Sequence, residues 1–99
     1  MQIKNSVTDG IMTVGIVGAL NYDGANDLKQ FLSGVYSQVS GMIIDMAEME
    51  YVSSAGMRVI LEAELQMKKK QGLEIINVND IVMDALHMSG FDKFLKIRK

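Results

Sequence analysis

The chain has 99 residues, a formal net charge of −2, no cysteine and no proline. That length suits one small domain, 1–99, with a single core. The missing cysteines exclude disulfides and cysteine metal sites, and the charge gives no general attraction for nucleic acid.

Hydrophobic residues make up 48% of the chain and charged residues 22%, a folded rather than a disordered composition. No apolar run approaches the ~20 residues of a membrane-spanning helix. The first ten residues carry no apolar leader core. A cytoplasmic location without membrane contact is therefore expected.

In chain order, Ile3 to Val7 alternates apolar and polar, and Asp9-Gly10 supplies a hairpin turn into a second strand over Ile11 to Val17. Gly15 and Gly18 mark points of bending or close backbone approach. Asn21-Tyr22-Asp23-Gly24 reads as a turn that ends with Asp23 as a helix N-cap. Leu28, Phe31, Leu32, Val35, Tyr36 and Val39 then recur by threes and fours, the stripe of a helix crossing over a sheet. Ser40-Gly41 ends that unit.

Met42-Ile43-Ile44 is a short apolar run that suits a buried strand, followed by a polar loop with Asp45, Glu48 and Glu50. Ser53 and Ser54 then precede an apolar helix over about Ser54 to Gln71. A serine oxygen there can accept from the first unpaired backbone N–H groups. Met57, Val59, Ile60, Leu61 and Ala63 spread around this helix, so it packs on two sides or presents a surface to a partner. Lys68-Lys69-Lys70 and Gly72 close it. Leu73 to Val78 forms a further strand. Asn79 or Asp80 caps a short helix with Ile81, Val82, Ala85, Leu86 and Met88, which Gly90 ends. Leu95 to Arg98 can form an edge strand. Strands alternating with helices imply an α/β layer structure with right-handed crossovers.

Catalytic chemistry finds little support. The lone histidine, His87, sits in a different element from Ser54, and Ser54-Ala55-Gly56 lacks the glycine two places before the serine of a nucleophile elbow. Asp45, Glu48 and Glu50 lack the ligand ladder of a calcium loop, and Gly15 to Gly18 has no phosphate-loop lysine. Lys68 to Lys70 and Lys93, Lys96, Arg98 and Lys99 read as a solvated helix end and a charged edge strand. Among the nine methionines, Met46 is expected in the core, while Met49 and Met57, flanking the serines, are expected at an interface.

The order Asp45, Tyr51, Val52, Ser53-Ser54-Ala55, Gly56, Met57 resembles the STAS domain family (sulphate transporter and anti-sigma factor antagonist). Gly18-Ala19-Leu20-Asn21 is similar to the turn after that family's second strand, and His87-Met88-Ser89-Gly90-Phe91 to its late helix end. The resemblance implies a mixed sheet of four to five strands with helices packed mainly on one side.

The resemblance also implies a non-enzymatic anti-sigma factor antagonist. The unphosphorylated form would bind an anti-sigma factor serine kinase and free a sigma factor. Phosphorylation at Ser54 would end binding, and a serine phosphatase would reset it, with no cofactor or metal held by this chain. The implied contact residues are Asn21, Tyr22, Asp23, Met49, Ser53, Ser54, Ala55, Gly56, Met57 and Arg58. Two positions depart from the sporulation and general-stress antagonists, which carry Asp where this chain has Ser53 and Asn21. Ser53 is thus a competing acceptor. The alternative is a STAS subunit held permanently in a lipid-transporter ATPase or a stress-sensing complex, and a small serine hydrolase is a distant third.

Overall fold

The computed structural model describes residues 1–98, so Lys99 of the second basic cluster lies outside the described residues. Asp9 at φ 53° and Gly10 at φ 83° form the left-handed turn that the Asp-Gly pair requires. It joins β1 (Gln2–Thr8) to β2 (Ile11–Leu20) as an antiparallel pair. The second strand runs to Leu20, three residues beyond the expected Val17.

Three further strands extend the sheet in parallel: β3 (Gly41–Asp45) on β2, β5 (Leu73–Ile76) on β3, and β6 (Lys96–Arg98) on β5. A sixth strand, β4 (Met49–Val52), lies where a polar loop was expected. It pairs in parallel with the end of β2, beyond a register shift between Gly18 and Ala19. Gly18 has φ 95°, a backbone conformation that glycine adopts without strain. The sheet is therefore mixed and six-stranded, in the order β1-β2-β3-β5-β6 with β4 on β2.

Three helices complete the fold: α1 (Tyr22–Ser33), α2 (Ser54–Lys68) and α3 (Asp80–Ser89). The first helix stops earlier than its apolar stripe suggests. Gly34 ends it, and a separate 3-10 turn over Tyr36–Gln38 follows. Lys70 Nζ donates to the carbonyls of Tyr36 at 2.6 Å and Val39 at 2.7 Å, tying that turn to the end of α2.

Strand alternation sets the layers. Met12, Val14 and Ile16 of β2, Met42 and Ile44 of β3, and Leu73 and Ile75 of β5 are buried. They form one cluster with Leu28 and Leu32 of α1, Ile60, Ala63 and Met67 of α2, and Val82 and Leu86 of α3. The intervening residues Thr13, Asp45 and Glu74 are only half-buried on the other face. Burial of this apolar surface, at about 25 cal/mol per Å², is what holds the helices on the sheet. Among the described residues, no helix is long and apolar enough to cross a membrane.

Candidate functional site

Leu20 and Val52 are paired residues at the ends of two neighbouring parallel strands. The next residue of each strand is a helix cap. Asn21 Oδ1 accepts from the Gly24 N–H at 2.8 Å, and Ser53 Oγ accepts from the Gly56 N–H at 3.0 Å. The Ser53 N–H in turn donates to the Leu20 carbonyl at 2.9 Å. Two helix N-termini thus leave the same sheet edge side by side. Their unpaired N–H groups and aligned dipoles favour negative charge there.

Asn21, not Asp23, caps α1. Asp23 instead lies in the first turn, where its charge complements the dipole. Asn, Ser and Asp cap helices about equally well. Asn21 and Ser53 thus fill both cap positions without a charge.

The second cap separates the two candidate serines. Ser53 uses its oxygen to cap α2 and is half-buried, whereas Ser54 is the first residue of the helix and is exposed. Among the described residues the Ser54 hydroxyl has no hydrogen-bond partner. It stands free at the helix start, open to an incoming group. Ser53→Ala should therefore cost about 1 kcal/mol of stability, and Ser54→Ala should stay within about 0.5 kcal/mol. Urea unfolding of the two variants checks this ranking.

Gly56 lets the first turn of α2 lie on the sheet. A Cβ there would come within 2.7 Å of Leu20 Cγ and Cδ2 and 3.1 Å of the Leu20 carbonyl oxygen. Asn21, Tyr22 and Asp23 from one helix start, Tyr51 from β4, and Ser54 and Arg58 from the other are exposed, with Ala55 half-buried. Tyr22 is 70% exposed, an apolar ring presented beside polar neighbours.

The two methionines expected at an interface are not surface groups. Met49 is 2% exposed and Met57 8%, and both belong to the core cluster with Met46. Met49 begins β4 with its side chain inward, and Met57 lies on the sheet side of α2. Their thioethers fill the floor of the site and present no contact surface. The third helix buttresses that floor. Asn79 Nδ2 donates to the Met49 carbonyl at 2.7 Å, and Ser89 Oγ lies 3.3 Å from Met57 Sδ. Sequence reasoning missed Asn79 as a support, because its partner is 30 positions away.

His87 Nδ1 lies 2.8 Å from Asp92 Oδ2 at the far end of α3. Among the described residues neither serine has a histidine partner, so a hydrolytic triad is not assembled. Asp45 Oδ1 accepts from the Ala47 N–H and Asn77 Nδ2, and Glu48 pairs with Lys4. Among the described residues no acidic or histidine cluster is placed to hold a metal ion. Lys96 and Arg98 both pair with Glu74, and Lys70 serves the 3-10 turn.

The family model for the STAS domain fits residues 2–99. A Bordetella bronchiseptica protein, BtrV, provisionally named an anti-sigma factor antagonist, is 28% identical over 93 residues, covering 92% of this chain and 80% of that protein. The crystal structure of an anti-sigma factor antagonist from Mycobacterium paratuberculosis superposes with a TM-score of 0.88 at 19% identity, over 98% of this chain and 84% of that one. The antagonist SpoIIAA of Bacillus gives 0.77 in its unphosphorylated form and 0.76 in its phosphorylated form. Identity to both is 14%, over 99% of this chain and 87% and 92% of those chains, so these structures share the fold. Because one family model spans residues 2–99, the chain belongs to the STAS domain family.

Proposed function

We propose that this chain is an anti-sigma factor antagonist of the partner-switching type. In the unmodified state it binds an anti-sigma factor through the Asn21–Asp23 turn, the turn around Ser54 and Arg58, and so frees a sigma factor. The anti-sigma factor is also an ATP-dependent serine kinase. It phosphorylates Ser54 and ends the complex, and a serine phosphatase restores the binding form. The chain is substrate and ligand here, and it catalyses nothing itself.

The observation that carries this reading is the division of labour between the serines. Ser53 is committed to the cap, while Ser54 is exposed with a free hydroxyl at the same helix start. A phosphate there adds about −1.5 to −2 charge and three acceptor oxygens. The helix dipole tolerates that charge, stabilising it by about 0.3–1 kcal/mol. The domain stays folded while its contact surface gains negative charge and changes shape, which is what a reversible switch needs.

The neutral Ser53 and Asn21, at positions where the best-known antagonists carry Asp, favour a second reading. In it the domain is a constitutive subunit of a larger assembly, and Ser54 is only a contact residue. Intact-mass measurement after incubation with the captured partner and ATP decides between them. Addition of one phosphate to wild type and none to Ser54→Ala supports the switch. A bound partner with no mass increase supports the constitutive subunit.

A further inference from the structure

Ser54 and Arg58 stand four residues apart on α2, one turn along the same face, and both are exposed. Residues with this spacing have Cβ atoms roughly 5–6 Å apart. Among the described residues Arg58 makes no ion pair, whereas Lys4, Lys96 and Arg98 each have a carboxylate partner. Arg58 is also the lone cation among the residues assigned to the contact surface. The other charged residue of that surface is Asp23, and Tyr22 and the neighbouring Tyr51 are exposed with it.

We propose that Arg58 is the group on which the switch acts. In the unmodified protein its guanidinium anchors a carboxylate of the partner; once Ser54 carries phosphate, the guanidinium is captured within its own helix. The proposal rests on Ser54 being the modified residue, and it supplies a reason why one phosphate ends binding. The partner surface it requires is specific: an Asp or Glu placed to meet the start of α2.

Three physical arguments support the capture. A planar guanidinium with paired N–H donors binds both carboxylate and phosphate in the two-point manner that a lysine cannot reproduce. On a helix, an anion four residues before a cation is the favourable order. Phosphate at position 54 has that order with Arg58. Glu62, four residues after Arg58, has the reverse order and is the weaker competitor. Finally, the phosphate is covalently held within reach, so it competes at high effective concentration with a carboxylate that must arrive on another molecule. Release therefore needs no rearrangement of the core: the cation that welcomed the partner is withdrawn.

The chain contains two arginines, Arg58 and Arg98. The second is paired with Glu74 at the far edge strand and serves as an internal reference. The test uses the full chain with phosphoserine genetically encoded at position 54, so that it does not depend on any kinase. In nitrogen-15 spectra of the arginine side chains, the Arg58 Nε–H resonance should shift and become protected from solvent exchange in the phosphorylated chain, with Arg98 unmoved. In the unmodified chain, Arg58→Gln should weaken binding of the captured partner by about 10- to 100-fold, with partial recovery in Arg58→Lys. An Arg58 resonance indifferent to the phosphate overturns the capture. Wild-type affinity in Arg58→Gln overturns the anchor. If the kinase modifies Ser54 and the complex dissociates while Arg58 stays indifferent, only the role of Arg58 falls. If no kinase modifies Ser54, the switch itself falls, and the encoded phosphoserine still reports on Arg58.

Discussion

Leu20→Ala should destabilise the domain by about 2–5 kcal/mol, the cost of emptying a filled core site. Leu20 is fully buried, ends β2, and lies directly under the first turn of α2. Gly56→Ala alone should cost about 1–3 kcal/mol, because its new methyl would sit 2.7 Å from Leu20 Cγ and Cδ2 and must displace them. The informative quantity is the double variant. With Leu20 shortened, the added methyl is relieved of the Cγ and Cδ2 contacts, keeps the approach to the Leu20 carbonyl oxygen at 3.1 Å, and partly refills the space. Gly56→Ala should therefore cost less in the Leu20→Ala background than in wild type. A coupling of about 0.5–3 kcal/mol is expected for residues in direct contact. Strict additivity in urea unfolding would mean that Leu20 and Gly56 do not touch as described, and the seating of the Ser54 turn on the sheet would lose its physical basis.

Asn79 should be the second sensitive position, although it lies outside the contact surface. Its Oδ1 accepts from the Val82 N–H at 2.8 Å, and its Nδ2 donates to the Met49 carbonyl at 2.7 Å. Asn79→Ala loses the cap, worth about 1 kcal/mol, and leaves the Met49 carbonyl without that donor, a further ~1–3 kcal/mol if water cannot reach it. Asn79→Asp separates the two terms. It keeps the cap but turns a carboxylate oxygen toward the carbonyl, so at neutral pH it should recover little of the loss. Equal stability of Asn79→Asp and wild type would show that the bond to β4 contributes nothing. Thermal unfolding of both variants, compared with binding of the partner, also reports how far α3 supports the floor beneath Ser54.

The local elements were legible where a short-range signal existed. Alternation marked β1, Asp9-Gly10 marked the hairpin, and Gly90, at φ 80°, closed α3 as its position indicated. Non-local pairing left no such trace. Residues 49–52 read as loop because Glu48 and Glu50 dominate the stretch, and because Met49 and Val52 are buried while Glu50 and Tyr51 between them are not. That pattern lacks strict alternation, and the strand exists through its pairing with the end of β2. The stripe of α1 ran on through Val35, Tyr36 and Val39, so nothing local announced that Gly34 ends the helix.

The site was legible as a segment but not as an arrangement. Two adjacent serines before a helix both qualify as caps, and which one faces the open N–H groups depends on where the helix starts. The structure places Ser53 at the cap and leaves Ser54 exposed. Met49 and Met57 were misread for a related reason. Flexible side chains suit interfaces and cores alike, and sequence carries no sign of which side of β4 or α2 meets the sheet. Asn21 was passed over as a cap in favour of Asp23 because both residues cap well, and the helix begins two residues earlier than the charge suggested.

The most direct measurement of the central claim is the fate of the complex itself. The captured partner and this chain, assembled with ADP, are passed over a sizing column before and after addition of ATP, for wild type and for Ser54→Ala. The account predicts that ATP dissociates the wild-type complex and leaves the Ser54→Ala complex intact. A wild-type complex that survives ATP unchanged, or a Ser54→Ala complex that falls apart equally, would contradict it.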